Sequence, residues 1–398
     1  MKNENKSTTD NTDRNNKWLE DIDFLASQLP IKHVNLFFSC KEENFFSEIQ
    51  ALNNKVPKIS SYEICVEISK IVAAFRDAHT SALLPVNLLL PIEVYWFKEG
   101  IYIVSAIDTY RKLENLRITH VDGLEINKFI NALSKIISYE NKSFLKAQLP
   151  KYFPAIELLY GLKLTRSVDS IELTLEDESK KSKTVNIEAL SFKDLKDINN
   201  SNDLVEETNL PLYRKSPEKY YWFEYLPEFK TVYFKYNACR NMIEKDMPTF
   251  GRELISFINE NTVNKLVIDL RNNLGGNSQL LDEFIKDIQH CEKINRKGNL
   301  YVITGRETFS SALLNLYSLK AKTKAIFIGE PTGGKPNCYG EVERFKLKNS
   351  AITICHSTKY YKTIQNDKLL SFVPDINLEV SVENFIIGND PWLEYILA

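Results

Sequence analysis

Ser310 is a candidate nucleophile, because both its residue type and its position in the sequence pattern suit that chemistry. It follows an apolar run, residues 300–304, and opens a segment, residues 310–319, in which apolar residues recur at helical spacing. A serine at the start of a helix usually caps it, but the helix dipole there also favours developing negative charge. The N–H of Ser311 would then be placed to bind an oxyanion. The pattern fits either a cap or a nucleophile.

Lys335 is a candidate general base. It lies in a loop, residues 329–337, that contains two prolines and follows a short apolar run. A free lysine amine has a pKa near 10.4 and is a poor base at neutral pH, but desolvation lowers the pKa of such an amine and frees it to accept a proton. The alternative interpretation is an ordinary solvated charge on the surface.

Gly275 and Gly276 follow an apolar run, residues 266–270, and precede a helical pattern. Consecutive glycines allow positive φ angles and close approach of the backbone to a ligand. Their N–H groups near a helix start can face an anion, which predicts half of an oxyanion hole. A tight turn between a strand and a helix would explain the same residues.

The elements that must position these groups divide the chain into four parts after a polar leader, residues 1–16, which we expect to be disordered. Residues 17–90 have helical periodicity, and residues 91–190 have the alternation of a small α+β module, with a hairpin in segment 94–104. Residues 191–219 are polar and predict an irregular linker. Residues 220–398 alternate strands with helices, which favours a parallel sheet. The fold class predicted is α/β, with an α+β multidomain organisation.

Composition narrows the function further. The 398 residues are 43% hydrophobic with a net charge of −2, which gives no reason to expect a nucleic acid or membrane partner. No apolar stretch is long enough to span a bilayer, and the N-terminus has no apolar signal region, so we expect a cytoplasmic protein, or a secreted one if a signal was removed. We expect neither a metal nor a cofactor, because the histidines and cysteines lack ligand spacing, and we expect the six cysteines to be free thiols.

In this order, three motifs resemble those of the tail-specific, or carboxyl-terminal processing, protease family. They read DLRNNLGG at 269–276, TFSSA at 308–312 and GEPTGGK at 329–335. In that family the nucleophile and its base lie 25 positions apart, as Ser310 and Lys335 do here, and this spacing favours Ser310 over Ser311. Weaker similarities extend to DAHT at 77–80 and to the middle module.

The resemblance implies a Clp-protease/crotonase-like core with a helical N-terminal region and a PDZ-like module. It implies a serine endopeptidase that cleaves peptides or unfolded and C-terminal protein segments. Ser310 would be the nucleophile and Lys335 the base of a Ser–Lys dyad, while the N–H groups of Ser311 and of Gly275 or Gly276 would form the oxyanion hole. The PDZ-like module would capture an extended chain.

Two alternatives stay open. Interphotoreceptor retinoid-binding protein resembles this family and binds ligands without catalysis, and the same fold could do so here. The tricorn protease core also resembles the family but uses a histidine, which makes His79 an alternative base or a residue that lines the site. The chain also departs from the family, because Leu313 and Ala321 stand where some relatives carry acids that orient the lysine. The sequence does not predict an oligomeric state.

Overall fold

The computed structural model describes residues 4–201 and 210–398, with side chains described for 11–198 and 210–398. The α-helices are α1 Glu4–Lys32, α2 Glu42–Lys55, α3 Ser61–Ala73, α4 Ile126–Leu133, α5 Lys142–Tyr152, α6 Ile156–Gly161, α7 Phe192–Ser201, α8 Met247–Glu260, α9 Asp282–His290, α10 Ser311–Lys322, α11 Val382–Ile386 and α12 Pro391–Leu397. The strands of the N-terminal half are β1 Ser81–Leu83, β2 Leu88–Leu89, β3 Ile92–Phe97, β4 Gly100–Ala106, β5 Arg117–Val121, β6 Leu124–Glu125, β7 Ser170–Glu176, β8 Ser182–Glu188 and β9 Leu190–Ser191. The strands of the C-terminal half are β10 Tyr221–Leu226, β11 Thr231–Tyr236, β12 Lys265–Asp269, β13 Leu300–Thr304, β14 Ile326–Gly329, β15 Asn337–Lys346, β16 Thr353–Lys362 and β17 Ile376–Asn377.

A mixed sheet with a mostly parallel centre organises the C-terminal half. Its strand order is β10-β11-β12-β13-β14-β17, and every pair from β11 to β17 is parallel. Strand β11 is buried along its whole length, as expected for a strand covered on both faces. Helices α8, α9 and α10 pack on one face and α12 packs on the other. The predicted α/β organisation is confirmed.

An antiparallel sheet, in the order β3-β4-β5-β7-β8, organises the middle module. The predicted hairpin within 94–104 is formed by β3 and β4, which pair across Phe97 and Gly100. Gly100 takes a φ of +142°, which a residue with a side chain rarely adopts. Helix α5 packs against the edge strand β3.

A long hairpin that the sequence did not predict joins the two ends of the chain. Strands β15 and β16 pair over ten residues each, and β16 also pairs with β1. Residues of this hairpin and its turn, including Leu347 and Ile354, share an apolar core with helices α1, α2 and α3. Much of β15 faces solvent, and that exposure weakens the apolar alternation by which a strand is recognised.

The predicted leader and linker both need correction. Helix α1 begins at Glu4, within the segment expected to be disordered, and Arg14 ties it to the rest of the chain by donating to the carbonyls of Val56 and Ile59 at 3.2 and 2.7 Å. The predicted linker contains α7 and a short 3₁₀ turn at Leu212–Arg214, while its residues 202–209 lie outside the described residues. The polar composition did not predict these helices, because the contacts that stabilise them are made with backbone that is distant in sequence.

Two further findings concern membrane-spanning helices and the cysteines. Within the described residues, no helix combines the length and the apolar character that crossing a bilayer requires. All six cysteines are free, as predicted, although only Cys239 and Cys355 are fully buried.

Candidate active site

Ser310 occupies a strained turn between β13 and α10. Its backbone angles are φ 52° and ψ −125°, a combination that a residue with a side chain rarely adopts. Such a conformation costs on the order of 1–3 kcal/mol and persists only where the surrounding structure enforces it. The side chain makes no capping bond to α10 and has no hydrogen-bond partner among the described residues. The capping interpretation of Ser310 therefore fails, and its hydroxyl is free.

Ser311 is committed to a structural bond. Its Oγ donates to the carbonyl of Gly276 at 2.6 Å and so links the start of α10 to the glycine turn. A hydroxyl engaged in this way must break that bond before it can attack a substrate. Of the two adjacent serines, the geometry favours Ser310 as the nucleophile.

The glycine turn brings backbone N–H groups to Ser310. A Cβ on Gly275 would lie 2.8 Å from the Ser310 Cβ, so only glycine permits this approach. The Gly275 N–H, however, donates to Asn273 Oδ1 at 2.9 Å and is therefore occupied. The N–H groups of Gly276 and Ser311 have no acceptor in the described part of the chain. Of the predicted oxyanion donors, these two are available and Gly275 is not.

The loop that carries Lys335 is bonded to the nucleophile turn. The N–H of Gly334 donates to the carbonyl of Thr308 at 3.0 Å, which places Lys335 beside the residues that precede Ser310. Lys335 is half-buried, and its amine forms no ion pair with any described residue. The structure therefore brings the predicted amine and alcohol, 25 positions apart in sequence, into the lining of one cleft.

His79 reaches the same cleft from the N-terminal part of the chain. Its ring stacks on Phe309 with centroids 4.4 Å apart, and both ring nitrogens are buried without a hydrogen-bond partner among the described residues. Burial lowers the pKa of His79, although the nearby Asp77 carboxylate opposes that shift. The lowered pKa favours the neutral imidazole, and ring nitrogens without a hydrogen-bond partner among the described residues keep His79 open as an alternative base.

Asp77 fixes the turn that presents His79. It is fully buried and accepts bonds from His33 Nε2 at 3.0 Å, from the His79 N–H at 3.0 Å, and from the hydroxyls of Thr80 and Ser357, each at 2.6 Å. Burial opposes its ionisation, but the bond from His33, the charge of His79 and the hydroxyl bonds outweigh it and lower the pKa of Asp77. The motif at 77–80 is therefore a rigid hydrogen-bonded turn.

These groups line a cleft of about 450 Å³, which we call the serine cleft. It is lined by His79, Arg240, Leu274, Gly276, Phe309, Ser310, Ser311, Leu313, Leu314, Lys335, Pro336, Cys338, Gly340, Glu341, Val342, Arg344 and Tyr361. No cluster of three or more potential metal ligands occurs among the described residues. What the cleft offers is a free alcohol, two free N–H groups, an amine and an imidazole, which together suit acyl transfer.

The charged residues of the motif at 269–276 do not line the serine cleft. They hold the glycine turn in place. Asp269 is fully buried and pairs with Arg271 at 2.8 Å and with Lys235 at 3.3 Å. Arg271 also pairs with Asp390 at 2.7 Å, which fastens the glycine-turn loop to the start of α12. Burial lowers the pKa of Lys235 to about 8, with Asp269 opposing that shift. Their contribution is to anchor the turn that ends in Gly276.

At two positions this chain lacks the acids that some relatives carry. Of these, Leu313 has a structural role and Ala321 has none. Leu313 is buried against Gly334, where an added Cβ would come within 2.9 Å of its Cδ2. Ala321 is exposed on α10. Sequence reasoning missed a different acid, Glu140, whose Oε2 is buried without a partner and whose charge interacts with that of Lys335. No motif surrounds Glu140, so nothing in the sequence could have pointed to it.

Comparison with known proteins agrees with this geometry. Residues 230–378, which include Ser310 and Lys335, match the model of peptidase family S41. No curated protein matches the chain significantly in sequence.

Among solved structures, mature CPAF complexed with lactacystin matches with a TM-score of 0.64 at 12% identity, over 96% of this chain and 97% of that one. A point mutant of CPAF matches with a TM-score of 0.66 at 12% identity, over 96% of both chains. At this identity the likeness shows that the fold is shared along nearly the whole chain. The segment that holds the nucleophile turn and the Lys335 loop, residues 230–378, therefore matches peptidase family S41, and the protein is a serine peptidase.

Proposed function

We propose that this serine peptidase is an endopeptidase of peptides or unfolded and C-terminal protein segments, with Ser310 as nucleophile and Lys335 as general base. The observation that carries the proposal is the conformation of Ser310, which is held in a strained turn with its hydroxyl free. A structural serine would relax or bond, whereas an exposed nucleophile requires that arrangement. The N–H groups of Ser311 and Gly276 would stabilise the tetrahedral oxyanion.

Lys335 is the preferred base because its amine is not drawn into an ion pair. An amine paired with a carboxylate is held as ammonium and cannot accept the serine proton. The Gly334–Thr308 bond fixes the loop beside the nucleophile turn and limits the search that the amine must make. As the tetrahedral intermediate collapses to the acyl-enzyme, the protonated amine would give this proton to the leaving amine of the substrate.

His79 supports a second candidate mechanism, a Ser–His peptidase. The supporting observation is that both of its ring nitrogens are buried, unpartnered and adjacent to Phe309. A neutral imidazole can accept a proton from a serine, as Lys335 would in the preferred mechanism. In this case the hydrogen-bonded Asp77 turn would serve to hold the imidazole in place.

Kinetics of Lys335→Met and His79→Gln against a quenched unfolded peptide distinguish the two mechanisms. We expect Lys335→Met to lower kcat severely and His79→Gln to lower it much less, with wild-type rates that rise with pH between 6 and 9. The opposite ranking would make His79 the base. A fluorophosphonate probe should label the wild type and not Ser310→Ala, and a Ser310→Ala protein that still hydrolyses the peptide would overturn the proposed function.

A non-catalytic carrier would fail the same tests. It would show neither labelling nor turnover in the wild type, and its ligand would be sought by binding assays. The free hydroxyl and the free N–H groups argue against a carrier, because binding an apolar ligand requires none of them.

A further inference from the structure

The serine cleft carries more cations than anions. Its lining includes Arg240, Lys335 and Arg344, against one carboxylate among the described lining residues, Glu341. The chain as a whole has a net charge of −2, so the excess of cations is a local property of the cleft. A substrate that enters the cleft therefore meets a positive field, although the protein as a whole is slightly acidic.

The two arginines of the cleft have no partner within the protein. Arg240 and Arg344 are exposed, and neither guanidinium forms a hydrogen bond, an ion pair or a ring contact with any described residue. Glu341 makes no ion pair with them, and its Oε2 instead accepts the Tyr361 hydroxyl at 2.5 Å. Both guanidinium groups are therefore available to a ligand, and their planar fork matches the geometry of a carboxylate.

Arg240 stands beside the glycine turn. The preceding residue, Cys239, accepts the Asn277 N–H on its carbonyl at 2.7 Å, and its own N–H donates to the Gly275 carbonyl at 3.0 Å. A Cβ on Gly276 would lie 2.2 Å from the Cys239 carbonyl oxygen, so the loop and the turn are in direct contact. The backbone of Arg240 is thereby held next to Gly276, a proposed oxyanion donor.

Arg344 lies on the strand that borders the cleft. Alternate residues of β15 line it, namely Cys338, Gly340, Val342 and Arg344. Among the described strands β15 is an edge of its sheet, whose order is β1-β16-β15. A strand edge can receive an extended chain through main-chain hydrogen bonds. A peptide that ran along this edge toward Ser310 would pass Arg344.

The remaining walls of the cleft strengthen the effect of these charges. Leu274, Leu314 and Val342 line it as well, and the side chains of Leu274 and Val342 are 47% and 42% exposed. Apolar walls lower the local dielectric and concentrate the field of nearby charges. The cleft thus combines an apolar surface with two unpaired arginines.

We propose that the serine cleft selects peptide segments that carry a carboxylate close to the scissile bond, with Arg240 and Arg344 as specificity-determining residues. The inference rests on the proposed function, because it assumes that a peptide is cleaved in this cleft. An aspartate or glutamate side chain and the C-terminus of a substrate present the same group to a guanidinium, so the shared chemistry is a carboxylate. Complementary charge of this kind raises the association rate and excludes substrates of the wrong sign.

The test compares kcat/KM for four versions of one unfolded peptide whose cleaved bond has been mapped by mass spectrometry. Three versions are blocked at both ends and carry glutamate, glutamine or lysine on either side of that bond. The fourth is the glutamine version with a free C-terminal carboxylate shortly after the bond. An exposed ion pair contributes at most about fivefold, so we expect the glutamate peptide to be cleaved about tenfold faster than the glutamine peptide, and the lysine peptide most slowly. Raising the salt from about 50 to about 500 mM should reduce this ratio, because exposed charges are screened.

Substitution of the arginines assigns the preference. Arg240→Gln and Arg344→Gln should each lower the glutamate-to-glutamine ratio severalfold, and the double variant should bring it close to one. Because the ratio compares two substrates of the same protein, a general loss of activity does not alter it. Arg252→Gln is the matched control, since it removes an exposed arginine of α8 that lies outside the serine cleft, and it should keep the wild-type ratio.

Each outcome has a distinct meaning. Equal rates for the glutamate, glutamine and free-terminus peptides in a labelled, active wild type overturn the charge selection and leave the proposed function standing. A ratio that survives in the folded double variant overturns the role of the two arginines, and if the double variant does not fold, the single variants decide by the same ratio. Faster cleavage of only the glutamate peptide or only the free-terminus peptide, lost in the variants, supports the site and identifies the source of the carboxylate. If the wild type is neither labelled by the fluorophosphonate probe nor able to cleave any version, the proposed function fails and this inference fails with it.

Discussion

Two hollows of similar volume treat their polar groups in opposite ways. The serine cleft, of about 450 Å³, holds a free hydroxyl, two free N–H groups and an unpaired amine. The second hollow, of about 420 Å³, lies between β3, α5 and the C-terminal sheet, and we call it the α5 cavity. Its lining includes Arg271, Arg306, Lys146 and Lys151, and each of these cations is paired with a carboxylate.

The pairing in the α5 cavity is extensive. Arg306 donates to both oxygens of Glu330, at 2.7 and 2.6 Å, and to the Trp96 carbonyl at 2.5 Å. The Arg271 guanidinium lies between the rings of Tyr213 and Trp392, at 4.6 and 4.4 Å. Cations that are paired with carboxylates in this way hold parts of the chain together, and they are not available to react with a substrate. The comparison teaches that unsatisfied polar groups, and not the size or apolar character of a hollow, identify the reactive site.

Replacing Ser310 by alanine should have the largest effect of any single change. We expect Ser310→Ala to lower kcat/KM by at least about a thousandfold, because no other described hydroxyl in the turn is free to replace it. Its unfolding free energy should not fall, since the serine makes no capping bond and the substitution removes only an unpartnered hydroxyl. Peptide hydrolysis together with urea unfolding checks both statements, and a large loss of stability would mean that Ser310 is structural after all.

Breaking a pair in the α5 cavity should instead reduce stability. Arg306→Met leaves Glu330 buried without its partner and should lower the unfolding free energy by roughly 3–5 kcal/mol. The matched control is Lys151→Met, whose pair with Glu307 is partly exposed and should contribute less than about 1 kcal/mol. Urea denaturation measures both, and equal losses would remove the contrast between buried and exposed pairs.

Glu140, whose Oε2 is buried without a partner among the described residues, should make stability depend on pH. Since the pKa of Glu140 is raised from 4.5 to about 8 by folding, the folded state binds more protons, and the unfolding free energy falls as pH rises through that window. Glu140→Gln lacks this dependence and should gain about 5 kcal/mol relative to wild type between pH 4.5 and 8. Thermal unfolding across this range would show it, and parallel curves for the two proteins would contradict it.

The smallest effect should come from the bonded serine of the cleft. Ser311→Ala removes one hydrogen bond to the Gly276 carbonyl, worth about 1 kcal/mol, and keeps the Ser311 N–H. We expect kcat to fall by less than about tenfold, through looser placement of the glycine turn. A loss as large as that of Ser310→Ala would exchange the roles of the two serines, and active-site labelling of both variants would reveal it.

The local sequence pattern predicted structure correctly wherever contacts between residues close in sequence determine that structure. Strand β12, the Gly275–Gly276 turn and the start of α10 follow from apolar runs that end in glycine or serine, so they could be read directly. The pattern failed for β15 and β16, because half of β15 faces solvent and the second partner of β16, strand β1, lies far away in sequence. It also failed for the N-terminal part of α1, which Arg14 fastens to backbone more than forty residues away.

The sequence by itself identified the candidate alcohol, the candidate amine and the glycine turn, because each follows an apolar run typical of a strand and the three motifs resemble those of a known family in order and spacing. Only the tertiary structure decided that the Ser310 hydroxyl is free while that of Ser311 is bonded, and that the Gly275 N–H is already used by Asn273. It alone brought His79 into the cleft that Ser310 and Lys335 line. Hydrogen-bond satisfaction and burial depend on groups that meet through folding, and a sequence pattern carries no record of which of them remain unpaired.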